Sequence, residues 1–276
     1  MSPGPRLFCI PAARAPIVAV LRRGPSAWSH VGRWDVARGV YEAGAWIRAN
    51  LYPQRCDLSP DGRWLCYFTM KSWSAWKAGP TYIALSRLPW LRALAAWGTC
   101  GTWTRGAHFV DDRRVWEVGE PAEGDATPCR EKFGLALTRP ITFAVERRRG
   151  WIETAESPPR QASDMWDEAR AAAVVMEKRS PKKHDARLRV RGYFAAFREG
   201  EPKDVVYELV EDARVTVLVD VQWADWDGEG RLLAATRDGR VQIRALSSEE
   251  PRVLSEANVG ELAPSPTPAP PDAQRW

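Results

Sequence analysis

Residues 54–63 read Q-R-C-D-L-S-P-D-G-R, and the pattern returns as Q-A-S-D-M-W-D-E-A-R at 161–170 and Q-W-A-D-W-D-G-E-G-R at 222–231. Aligned without a gap, each copy has Gln, a small third residue, Asp, an apolar fifth residue, an acidic eighth, Gly or Ala, and a closing Arg. Each copy runs into an apolar segment: Trp64–Phe68, Ala171–Val175 and Leu232–Ala235. A degenerate fourth copy, 105–114, keeps Ala107, Phe109, Asp112 and Arg114 and leads into Val115–Val118. The units then begin near residues 54, 105, 161 and 222, at spacings of 51, 56 and 61. Such a period sets an architecture, because one unit cannot bury its own apolar face and must stack on the next.

The grammar inside each unit is that of strands and turns. Ser59-Pro60-Asp61-Gly62 and Asp227-Gly228-Glu229-Gly230 combine a Pro-set φ, carboxylates that bond the backbone two residues on, and glycines that accept positive φ. Arg237-Asp238-Gly239-Arg240 divides Leu232–Thr236 from Val241–Leu246, and an Asp-Gly pair between short apolar runs is a hairpin signal. Other strand-like runs are Leu7–Ile10, Pro16–Arg22, Thr81–Ser86, Gly134–Thr138, Ile141–Val145, Arg187–Phe197, Val205–Val210 and Val215–Val221. Ser163–Lys178 is rich in alanine and has helical propensity. Its match to the repeat favours a turn and strand instead.

The S-P-D-G-R-W-L stretch at 59–65 resembles the turn of TolB-like and WD40-like β-propeller repeats, and D-G-E-G-R-L-L-A at 227–234 is a looser version of it. The resemblance covers the unit starts and names no specific family, since the Gly-His and Trp-Asp pairs of true WD40 repeats are missing. It implies an all-β, single closed β-propeller over residues 1–260, with five blades expected and four to six allowed. Residues 6–50 precede the first unit and are expected to form a closing blade completed by C-terminal strands, which hides the sheet edges. Residues 261–276 include A-P-S-P-T-P-A-P-P-D at 263–272 and read as a disordered, polyproline-leaning tail.

No stretch approaches the ~20 apolar residues that span a bilayer. The short run Ala15–Leu21 reads neither as a signal peptide nor as an anchor. Five cysteines (Cys9, Cys56, Cys66, Cys100 and Cys129) lack metal-ligand spacing, and the odd number points to reduced thiols in a cytoplasm. Cys56 and Cys66 flank one turn, yet the same compartment argument weighs against a disulfide between them.

Three groups of residues are candidate sites. Asp57, Asp164 and Asp225 recur in the repeat and are candidates for a ring of carboxylates that takes a polar ligand. Repetition favours a structural role instead, with each Asp accepting backbone N–H bonds and pairing with Arg63, Arg170 or Arg231. Among fifteen tryptophans, Trp73 and Trp76 in the polar loop Lys71–Gly79 are expected to be exposed to a partner, while the others fill the core. The basic runs Arg147-Arg148-Arg149 and Lys178–Arg191, with Lys178, Lys182 and Lys183, suit phosphates or an acidic partner. The chain carries 40 basic and 35 acidic residues and no nucleic-acid motif, so a solvated face is the plainer reading.

No catalytic residue, metal site or cofactor is expected. His30, His108 and His184 have no H-E-x-x-H or H-x-H spacing, and no G-x-S-x-G elbow is present. The leading expectation is a cytoplasmic, monomeric, non-catalytic scaffold that binds another protein. A hydrolase acting on a sugar or phosphate at the channel mouth is the alternative, and a nucleic-acid-binding module the third.

Overall fold

The repeated turn is a physical repeat. In a computed structural model, Gly62 N–H donates to Ser59 O at 2.8 Å with Gly62 at φ 73°, and Gly230 N–H donates to Asp227 O at 3.1 Å with Gly230 at φ 74°. Both glycines sit in the left-handed region that a Cβ disfavours, which is why the ninth repeat position is Gly in both. The Ser59 hydroxyl accepts from Arg63 N (3.2 Å) and Trp64 N (2.9 Å) and donates to Asp61 at 2.6 Å. Arg63 Nε closes the loop on Asp61. Thr236, Asp238, Gly239 and Arg240 build the same device at the next hairpin, with Gly239 at φ 93° and Arg240 Nε donating to Asp238 at 3.0 Å. In the 227 turn, one carboxylate replaces hydroxyl and acid together. Asp227 accepts from Glu229 N, Arg231 N and Arg231 Nε at 2.6–3.0 Å.

The structure describes residues 4–24, 27–70, 80–99, 106–109, 135–138 (backbone), 142–157, 173–193, 202, 204–212, 214–247 and 251–275. These form five sheets, each made of strands consecutive in the chain. The first holds β1 (Arg6–Pro11), β2 (Ile17–Arg23), β3 (Ser29–Asp35) and β4 (Val40–Ile47). The second holds β5 (Asn50–Leu51), β6 (Asp57–Leu58), β7 (Trp64–Met70), β8 (Thr81–Arg87) and β9 (Ala95–Gly98), with β5 and β6 both paired to β7. The third pairs β10 (Gly106–Phe109) with β11 (Leu135–Thr138). The fourth runs β12 (Ile152–Glu153), β13 (Ala173–Arg179), β14 (Ala186–Tyr193), β15 (Asp204–Glu211) and β16 (Arg214–Val217). The fifth runs β17 (Val221–Trp226), β18 (Leu232–Thr236), β19 (Arg240–Ala245) and β20 (Arg252–Asn258).

The described residues divide into two compact units. In the unit of residues 4–7 and 142–261, sheets four and five pack through Val174, Met176, Leu188, Val190, Tyr207, Ala224, Trp226 and Leu232, with Phe143 and Trp151 in the same cluster. Pro5 and Leu7 dock on the first residue of the repeat: Leu7 N donates to Gln222 Oε1 at 3.0 Å, and Gln222 Nε2 donates to Pro5 O at 3.1 Å. In the unit of residues 8–138 and 262–275, sheet two packs on β10 through Trp64, Cys66, Phe68, Ile83, Leu85, Trp97, Ala107 and Phe109. Sheets one and two meet where Ala45 N donates to Pro89 O at 3.0 Å and Arg14 N to Pro60 O at 2.9 Å.

Several expectations change. Ile141–Val145 is not a strand over its described part. Ala144–Arg148 forms a helical turn, α1, entered by Phe143 at φ 55°, which buries Phe143, Ala144 and Val145. Val215–Val221 is broken at Leu218–Asp220, so it ends one sheet and begins the next. The first sheet draws all four strands from Arg6–Ile47. The final strand β20 pairs with β19 in the fifth sheet, and among the described residues no C-terminal strand completes the first. The tail over 262–275 is placed rather than disordered: it ends in a 3₁₀ turn, Pro271–Gln274, with Ala273 buried. Proline keeps it out of a sheet by removing donors, but its carbonyls remain free to accept bonds from arginines. Cys9, Cys56 and Cys66 are buried and form no disulfide among the described residues.

Candidate functional site

Asp57 and Asp225, the repeated carboxylates, are 1% and 2% exposed. Each accepts from the next backbone amide: Leu58 N at 3.0 Å for Asp57, and Trp226 N at 2.7 Å for Asp225. The second oxygen of Asp57 accepts from Phe109 N at 2.9 Å, tying β6 to β10. Asp225 accepts from Lys178 Nζ at 2.6 Å, tying β17 to β13. In both copies the Asp therefore links its own sheet to the preceding or following one. The arginines expected beside them pair elsewhere, Arg63 with Asp61 and Arg231 with Asp227, because the turn points them back over its own loop. Asp164, Arg170, Trp73 and Trp76 lie outside the described residues.

The basic run on β14 is neutralised by its neighbours. Arg189 stands opposite Glu177 on β13 and Glu208 on β15, and bonds to them at 2.7 and 3.5 Å. Arg187 reaches Glu177 at 3.2 Å, and Arg191 reaches Glu156 at 2.8 Å. Lys178 is held by Asp225, and Lys183 by Glu211 at 2.6 Å. Arg147 pairs with Glu153, while Arg148 and Arg149 are half-buried at the end of α1. Lys182 packs its stem against Gly230. Cross-strand pairs of opposite charge are a way of stabilising a sheet face, and they reduce its pull on a polyanion.

Two polar arrangements in the second unit were not foreseen from the sequence. His30 on β3 is fully buried, with Nδ1 3.2 Å from Ala45 O and Nε2 3.1 Å from the Tyr41 hydroxyl. A carbonyl only accepts, so Nδ1 carries the proton and Nε2 accepts from Tyr41. Trp46 lies against the imidazole at 4.6 Å between centroids, and the Arg22 guanidinium sits 5.1 Å from the Trp46 ring. Burial, aided by the Arg22 charge, pulls the His30 pKa down to about 4. Burial also raises Tyr41 and Cys9, so both keep their protons.

The second arrangement is a cavity of about 270 Å³ lined by Arg33, Arg63, Arg87, Trp90, Glu42, Asp61 and the tail residues Asp272 and Ala273, among others. The S-P-D-G-R turn forms one wall and the end of β8 another. Burial pushes the Asp61 carboxyl up, but bonds from Ser59 and Arg63 outweigh it and hold the group below its usual range. Arg33 has carboxylates at 3.8 Å (Asp35) and 3.9 Å (Glu42), beyond hydrogen-bonding distance. Arg87 Nη1 donates to Asp272 O at 2.8 Å. The cavity thus presents guanidinium donors beside an indole, a setting for carboxylates and extended chain. Among the described residues no group of three His, Cys, Asp or Glu is placed to hold a metal ion.

No family model and no curated protein matches the chain. Among solved structures, it is similar to an acylaminoacyl peptidase in complex with Z-Gly-Gly-Phe-chloromethyl ketone, at 13% identity over 91% of this chain and a TM-score of 0.33. It is also similar to the Pyrococcus horikoshii acylaminoacyl peptidase, at 13% identity over 90% of this chain and a TM-score of 0.33. The chain spans 46% of the length of each of these structures.

Proposed function

We propose that this chain is a non-catalytic protein-interaction scaffold built on a five-bladed, closed β-propeller. Five consecutive sheets, face packing of neighbouring sheets within each unit, and the docking of Pro5 and Leu7 on Gln222 of the fifth sheet support that architecture. Three buried cysteines outside any disulfide accord with a reducing, cytoplasmic setting. No helix among the described residues is long and apolar enough to cross a membrane.

One observation carries the interaction reading. β16 is the outer strand of the fourth sheet, and it exposes Val215 (50%) and Val217 (48%), followed by Val219 (78%). An outer strand with exposed valines invites another strand. The occupant is an extended segment of a partner protein, added antiparallel or parallel to β16. Asp57 and Asp225, by contrast, are buried and bonded into the scaffold, which favours the scaffold over the hydrolase. The test is affinity purification of the tagged chain from its host beside a Val215→Glu, Val217→Glu variant of equal thermal stability. A stoichiometric protein partner lost at least tenfold in the variant is the expected result. Equal recovery by both chains, or self-association through β16 in place of a partner, overturns it.

A further inference from the structure

The chain's own C-terminal segment docks at the edge of the arginine-lined cavity of the second unit and forms one of its walls through Asp272 and Ala273. Pro271–Gln274 makes a 3₁₀ turn that seats Ala273, 1% exposed, against the cavity wall. Arg87 Nη1 donates to Asp272 O at 2.8 Å, and the Asp272 carboxylate lies 4.0 Å from the same nitrogen. At its other end the segment is anchored by Arg22 Nη1 on Leu262 O at 2.7 Å. Between these anchors the described hydrogen bonds are internal: Thr267 to Ser265 O, Ala273 N to Pro270 O and Gln274 to Ala269 O. A strap fixed only at its ends, with Ser265 to Pro268 exposed between them, can leave its groove without dismantling a sheet.

The geometry points to a peptide-binding groove for a proline-rich segment that ends in an acidic and a small residue, its edge occupied in cis by Pro270-Pro271-Asp272-Ala273. Three features match that chemistry. With Asp272 set aside, the lining arginines Arg33, Arg63 and Arg87 outnumber the lining acids Glu42 and Asp61 by one, and among the described residues the Arg33 guanidinium makes no hydrogen bond. Trp90 offers an aromatic face of the kind that proline rings pack on. The pocket for the small residue admits a methyl group, as Ala273 shows. Proline pre-orders the ligand, so little conformational freedom is lost on docking. The occupant in trans is a segment of the same chemistry on a partner protein. This deepens the interaction reading above and rests on it for the partner being a protein, but it uses a surface separate from β16.

The tether puts the tail at millimolar effective concentration, so the groove must be vacated before a second peptide is seen. The experiment uses the full chain and a fluorescent peptide of residues 269–274, Ala-Pro-Pro-Asp-Ala-Gln, read by anisotropy. Ala273→Arg, whose side chain is too long for its buried seat, is expected to bind the peptide about tenfold or more tightly than the parent chain. Adding Arg87→Glu is expected to remove that gain, and a peptide with Lys in place of Asp is expected not to bind. Asp272→Lys, at a position 74% exposed, replaces Ala273→Arg if that variant does not fold. No binding by either folded variant, or binding indifferent to Arg87→Glu and to the peptide's Asp, overturns the groove. Loss of partner capture at β16 leaves this result untouched.

Discussion

At the scale of single residues, two positions expose the forces that hold the second unit together. A Cβ on Gly62 meets Ile17 Cβ at 2.6 Å and is strained at φ 73°. Gly150 has a similar φ of 85° with nothing within 4 Å. Gly150→Ala is therefore expected to cost about 1–2 kcal/mol, the backbone penalty alone. Gly62→Ala adds a clash with a buried side chain and is expected to cost roughly 1–3 kcal/mol more. Urea unfolding of the two variants checks the difference, and equal losses contradict it. His30 has the opposite interest. Its folded pKa, about 4, lies below the ordinary 6.5, so the unfolded chain binds the extra proton between those values. Stability from His30 is complete above pH 6.5 and is lost as pH falls toward 4, by at most about 3 kcal/mol. Thermal unfolding between pH 7 and 4.5 is expected to be less acid-sensitive in a His30→Phe variant. An unchanged slope contradicts the assignment.

At the scale of elements, the repeat was legible and its chemistry was half legible. Turn residues act locally, so Ser59, Pro60, Asp61 and Gly62 could be read together before any tertiary contact was known, whereas Arg63, expected on Asp57, joins Asp61. Most strand-like runs became strands for the same reason: alternation and turn punctuation are properties of neighbours. The failures have long-range causes. Phe143-Ala144-Val145 is apolar enough for a strand, but it closes as a helical turn that buries all three side chains, with Phe143 in the core of sheets four and five. Asp57 found Phe109, 52 residues away, rather than Arg63. The gapless alignment also hides a slip. Leu58 stands opposite Leu65, whereas Trp226 stands opposite Leu232, so the first turn holds one residue more. Such a slip exchanges the two faces of the following strand, and it is tolerated because Trp64–Phe68 and Leu232–Thr236 are buried on both faces.

At the scale of the molecule, the proposed ring predicts cooperativity. Blades closed into one body lose their packing together, so a single thermal transition is expected, with calorimetric and van't Hoff enthalpies equal. Scattering from one compact chain of this length gives a radius of gyration of about 19 Å. Two separated transitions, or a markedly larger radius, contradict a closed ring. The sequence by itself determined the all-β class and the turns at 59–62 and 227–230, because hydrophobic alternation and turn chemistry involve only near neighbours. Tertiary structure alone decided what each polar side chain does. It buried His30, paired the β14 arginines with nearby glutamates, and laid the proline-rich tail along one wall of an arginine-lined cavity. Charge pairing and burial depend on which strands come together, and a single strand's sequence does not contain its neighbours.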